Sequence, residues 1–191
     1  VIALQYNPES ISRSFQINAA GESGDRSQAM RIKGPPVETI NVEATIDATD
    51  MLEFPSDHPD AVAYGLHPQI AALETLIYPE SAVLVENDAL ADSGTLEIAP
   101  MEAPLTLFVW SKSRVVPVRI SELSVTEEAF DASLNPTRAK VSLGMRVLSV
   151  DDLGFDHRGG SLFLVHQQLK EDLASKAPAG VLDTLGIGGV L

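Results

Sequence analysis

Four histidines, 27 acidic residues and no cysteine set the chemistry open to this chain of 191 residues. Without cysteine there is no disulfide, no thiol nucleophile and no cysteine-based zinc site. Asp57-His58-Pro59-Asp60 offers one imidazole and two carboxylates, donors that a divalent cation would accept. A metal site needs three or four converging ligands, usually with a second histidine at helical or strand spacing, so a solvated turn is the simpler reading. His157 and His166, with His67, form no ligand motif and read as surface or interface residues. There is no G-x-S-x-G elbow for a serine nucleophile. Gly186, Gly188 and Gly189 lack the preceding strand and following helix of a phosphate-cradling loop. Carboxylates on different strands cannot be paired for acid–base work from spacing alone. The expectation is a non-enzymatic chain with no catalytic residue, no cofactor and no metal.

The net charge of −14 produces a field that repels nucleic acid and anionic lipid, so neither is an expected partner. An apolar fraction of 45% with 21% charged residues belongs to a folding chain, and the length suits one core. No stretch approaches the roughly 18 uninterrupted apolar residues of a spanning helix, and residues 1–18 lack the basic start and apolar block of a signal peptide. No membrane insertion is expected. The lack of cysteine fits a reducing cytoplasm.

The elements that must position any site are mostly strands, because alternation of apolar residues recurs along the chain. Ile2, Leu4 and Tyr6 alternate before the Asn7-Pro8 break, and Phe15 and Ile17 after it, predicting two short strands and a turn. After Gly34-Pro35-Pro36, Ile40, Val42, Ala44 and Ile46 share one face, while Thr39, Asn41, Glu43, Thr45 and Asp47 share the other. Residues 105–110 place Leu105, Leu107 and Val109 opposite Phe108 and Trp110, so both faces have something to cover. Val116, Val118 and Ile120 alternate until the parity shifts to Leu123 and Val125, which predicts a β-bulge near Ser121. Ala139, Val141, Leu143, Met145 and Val147 form the last alternation, and these later strands should pair as a meander.

Two segments predict helices. Residues 68–78 carry Ile70, Leu73, Leu76 and Ile77 on one stripe, between Pro68 and Pro79, as a plug for the open end of a sheet sandwich. Residues 161–176 carry Leu162, Val165, Leu169 and Leu173 at helical spacing, with Ser161 as capping candidate and Pro178 as stop. That stripe is expected to face the core, with a partner groove as the other reading. Residues 47–65 and 80–104 read as long acidic assembly loops, and the small apolar residues of 177–191 as a tail ordered by a partner.

Tyr6-Asn7-Pro8-Glu9-Ser10-Ile11-Ser12-Arg13-Ser14 resembles the aromatic-Asn-Pro turn and serine-rich strand that open the tube-domain family of contractile injection systems. Residues 40–50, INVEATIDATD, are similar to that family's second block, an alternating strand ending in Asp-x-Thr-Asp. Residues 104–110 resemble its hydrophobic strand ending in an aromatic pair. Phe130 and Leu134-Asn135-Pro136-Thr137-Arg138-Ala139 resemble its closing block, where a Pro-x-Arg-Ala turn starts the last strand. The blocks keep the family's order over residues 1–149, about three quarters of the chain.

The resemblance implies a mainly β fold: a tail-tube-like β-barrel or two-sheet sandwich with one short helix over residues 1–149. A C-terminal helix and small-residue tail would follow over 150–191. It implies a structural baseplate or inner-tube component that forms a six-membered ring, or hexamer, with copies of itself. The same fold builds phage tail tubes and type VI secretion tubes. The partners so implied are the inner tube protein, the spike or hub protein and other baseplate subunits. Assembly would be cytoplasmic, within a phage tail-like particle either retained or released. Many baseplate members carry a peptidoglycan-binding LysM module after the tube domain, and the residues after Ser149 do not read as one. Expected interface residues are Asn7, Pro8, Glu43, Asp47, Arg138, Leu162, Val165 and Leu169, with Glu43 and Asp47 lining a channel or facing bulk solvent. The competing reading from the residues is a carbohydrate-binding β-sandwich with Trp110, Tyr64 and Tyr78 as stacking platforms.

Overall fold

The structure, a computed structural model, describes residues 1–5, 8–19, 31–94 and 103–178. Tyr6, Asn7 and the glycines at 186, 188 and 189 lie outside the described residues, as do 95–102 of the expected second loop. Five antiparallel strands build one curled sheet in the order β1-β2-β5-β4-β3. They are β1 (Ile11–Gln16), β2 (Val37–Asp47), β3 (Thr106–Ser111), β4 (Arg114–Phe130) and β5 (Pro136–Val147). The mainly β expectation holds at this level. β3, β4 and β5 form the expected meander, and β5 then pairs with β2 from Thr39↔Arg146 to Asp47↔Arg138. The register slips between Ile120 and Glu122, which places the bulge at Ser121 and restores Leu123 and Val125 to the core side.

Alternation decides what each strand buries. Along β2, Ile40, Val42, Ala44 and Ile46 are buried, as are Ala139, Val141, Leu143, Met145 and Val147 along β5. Leu66, Ile70, Leu73, Val150 and Phe163 from the helical segments complete the same cluster. Each fully buried side chain of this size contributes about 1.5–3 kcal/mol of transfer free energy. All five strands among the described residues belong to this one sheet, and its apolar face is covered by helices.

Six helices occur among the described residues where one plug and one appendage were expected. The first four are α1 (Thr49–Leu52), α2 (Pro59–Tyr64), α3 (His67–Glu74) and α4 (Ser81–Asp92). The expected loop at 47–65 is thus largely helical, because Pro59 at the first helical position is preset for that geometry. α4 likewise replaces much of the loop expected at 80–104, yet it buries none of its residues. The expected plug is α3, shorter than 68–78 and buried through Ile70 and Leu73. Residues 1–5 form no strand, although Ile2 and Leu4 alternate. β1 covers β2 only from Val37 to Val42, and beyond it this segment meets the end of β2 through a side chain, Gln5 Oε1, which accepts from the Asp47 amide at 2.8 Å.

α5 (Val150–Leu153) and α6 (Arg158–Ala174) follow β5. Ser149 and Asp152 form a reciprocal capping box at the start of α5. α6 begins three residues before the expected Ser161, with the imidazole of His157 as its cap: Nδ1 accepts from the Gly159 amide at 3.0 Å.

Candidate assembly surfaces

The face of β2 and β5 turned from the core is polar, and strand register brings four of its side chains into two pairs. Asp47 lies opposite Arg138, and Glu43 opposite Ser142. Arg138 Nε and Nη2 each lie 2.9 Å from Asp47 Oδ2. Asp47 Oδ1 accepts from the Thr49 amide at 2.8 Å and from the Thr49 hydroxyl. The Thr49 donors, with Arg138 beyond them, hold the Asp47 carboxyl below its usual value, against burial that acts to raise it. Asp47 is only 8% exposed. Its charge is therefore consumed within the chain, where it locks the end of β2 to β5 and starts α1, and it is not presented to a channel or to bulk solvent.

Glu43 is exposed and lines an open groove of about 530 Å³ with Pro8, Glu9, Ser10, Lys140 and Ser142. The structure thus brings Pro8 to Glu43, two of the expected interface residues, and Asp47 to Arg138, two more. Asn7 lies outside the described residues. Lys140 also pairs with Glu128 at 2.6 Å.

The turn between β4 and β5 is built by one carboxylate. Asp131 Oδ1 accepts from the Ser133 amide at 2.7 Å and the Asn135 amide at 2.9 Å, while Oδ2 accepts from the Asn135 side chain at 2.9 Å. The Asn135 side-chain donor and then the two backbone amides lower the Asp131 carboxyl pKa. The same amide nitrogen of Asn135 donates to the Ala63 carbonyl at 3.2 Å, and the Leu66 amide donates to the Pro136 carbonyl at 2.8 Å. The stretch 134–139 therefore joins the last hairpin to α2 and α3.

α6 lies against β4 with a different face from the one expected. Gly159, Gly160, Phe163 and His166 are buried, Leu162 and Leu169 half-buried, and Val165 and Leu173 exposed. The helix is turned by about one residue, roughly 100°, from the apolar stripe. Two contacts set that rotation. The glycines let the helix approach α5 where a Cβ would meet the Leu153 side chain and the Gly154 carbonyl, and Lys170 reaches Glu38 Oε2 at 3.3 Å. Glu38 is buried on β2 and also takes Arg13 from β1, at 2.7 Å from Nε and 2.6 Å from Nη2. Arg13 lies 4.9 Å from the Phe15 ring centroid. His166, expected as a surface or interface residue, is 5% exposed beside this cluster, within the chain's own fold. Sequence reasoning missed it because an imidazole at position 166 interrupts no apolar stripe and matches no motif.

Both edges of the sheet are open among the described strands: β1 and β3 each pair on one side only. On β3, Leu107 and Val109 are exposed on the outer face, while Phe108 packs on the core and Trp110 stacks on it with centroids 6.2 Å apart. No group of three or more potential metal ligands occurs among the described residues, and no described helix is long and apolar enough to cross a membrane. No family model matches the chain, and no curated protein matches it significantly.

Proposed function

We propose that the chain is a structural subunit of a contractile injection system, a tube-like domain that forms a six-membered ring between the spike or hub and the inner tube. The observation that carries this reading is the open, curled sheet whose edges at β1 and β3 are unpaired among the described residues. An edge presents a row of free amides and carbonyls, and a long half-open sheet is stabilised when a neighbour continues its ladder. β3 adds exposed Val109 and Leu107 to that edge. On the same outer face of the sheet, Glu43 stands in the polar groove, and we assign it to the channel wall. Val165 and Leu173 of α6 are further exposed apolar side chains, assigned to contact with the adjacent ring layer. The partners under this reading are further copies of the chain, the inner tube protein, the spike or hub protein and other baseplate subunits.

The test is the mass of the purified full chain by native mass spectrometry, with negative-stain imaging of the same sample. A six-fold ring, or a rod-shaped particle retaining this chain at one end, is expected. A chain that stays monomeric at assembly concentrations and co-purifies with no particle overturns the reading.

A further inference from the structure

We propose that α6 is an acid-released latch: taking up a proton on His166, at its seat between α6 and the sheet, uncouples the helix from the sheet and exposes the apolar surface beneath. The device belongs to the chain's own fold and does not depend on ring formation.

The geometry begins with the imidazole. His166 is 5% exposed, and both Nδ1 and Nε2 are buried with no hydrogen-bond partner among the described residues. A neutral ring in that position leaves one donor and one acceptor unmet. A protonated ring has two donors, a full charge and nothing to accept from it. The neighbours do not supply an acceptor. Lys170 of α6, Arg13 of β1, Glu38 of β2 and Arg114 of β4 act on the charge of the ring, three cations against one carboxylate. That carboxylate is already held by Arg13 on one oxygen and Lys170 on the other.

Burial first, and then the charge of Lys170, push the imidazole below its ordinary value of 6.5, with Glu38 opposing and Arg13 and Arg114 adding to the depression. The docked state therefore binds fewer protons than the released one, in which His166 titrates as usual. Docking is at full strength above about pH 6.5 and weakens as pH falls below it, by at most about tenfold in equilibrium constant per pH unit. The response is local because α6 is held to the sheet through one face, whereas β2, β4 and β5 are held by continuous ladders. Gly154, at φ 79, lies in the link between α5 and α6.

Amide hydrogen exchange on the full chain at pH 7.5, 6.5 and 5.5, corrected for intrinsic exchange, tests the latch above the ordinary carboxylate range. Protection across Arg158–Ala174 should fall by up to about tenfold per pH unit below 6.5, while β2 and β5 hold theirs. His166→Leu should keep α6 protected and make its protection independent of pH. Should that variant fold poorly, the His166 ring is titrated by NMR in the wild-type chain, where a midpoint below 6.5 is expected. Flat wild-type protection, an unchanged slope in His166→Leu, or a ring midpoint at or above 6.5 overturns the proposal.

Discussion

Asp47 illustrates how a single carboxylate can serve three elements at once. One oxygen receives Thr49 and so begins α1, and the other receives Arg138 and so fastens β2 to β5. Arg138 is half-exposed, with 54% of its side chain accessible, so solvent screens the pair and its removal is mild. Arg138→Ala should lower stability by about 0.5–1 kcal/mol in urea denaturation while, under the proposed function, disturbing ring assembly, read by native mass, far more. The depressed Asp47 carboxyl contributes stability above its unfolded value of 3.8 that is lost as pH falls through its lower folded value. Asp47→Asn should flatten the acid limb of the stability curve below about pH 4, and an unchanged limb would assign that acid sensitivity to other carboxylates.

At the scale of elements, two junctions carry the fold. The first is Gly65, which ends α2 at φ 57 where a Cβ would strike the Pro136 carbonyl and approach Asn135 Cβ at 3.0 Å. Gly65→Ala combines a left-handed backbone with that collision, and should cost about 1–3 kcal/mol in thermal or urea unfolding. The second is the seat of α6, where Phe163 is 7% exposed and belongs to the main core cluster. Phe163→Ala should cost about 3–5 kcal/mol, with α6 amides losing protection before those of β5. Val165→Ala, at an exposed position of the same helix, should stay within about 0.5 kcal/mol of wild type.

At the scale of the whole molecule, the decisive feature is a sheet whose two edges are free among the described residues. Natural sheets blunt such edges with lysine, proline or short strands, but β3 carries exposed Leu107 and Val109. Val109→Lys should leave the monomer's melting temperature nearly unchanged and prevent ring formation under the proposed function. A ring that persists in this variant places the subunit contact elsewhere.

The alternation of β2, β4 and β5, the meander and the bulge at Ser121 were legible in the residues, because strand period and its phase slip are local properties of the chain. The core side chains of β2 and β5 followed directly from that period. Three features were decided only by the tertiary structure. The segments 47–65 and 80–104 look like loops by composition, yet Thr49–Leu52, Pro59–Tyr64 and Ser81–Asp92 within them are helical, the first begun by Asp47, which accepts from Thr49 while paired with Arg138 on β5. Residues 1–5 have strand alternation, but they meet the end of β2 through the Gln5 side chain and form no backbone ladder. The rotation of α6 depends on two glycines meeting α5 and on Lys170 finding Glu38, 132 positions away in sequence. Apolar periodicity alone therefore points to the stripe at 162, 165, 169 and 173, whereas steric fit and a long-range ion pair turn the helix to bury Phe163 and His166.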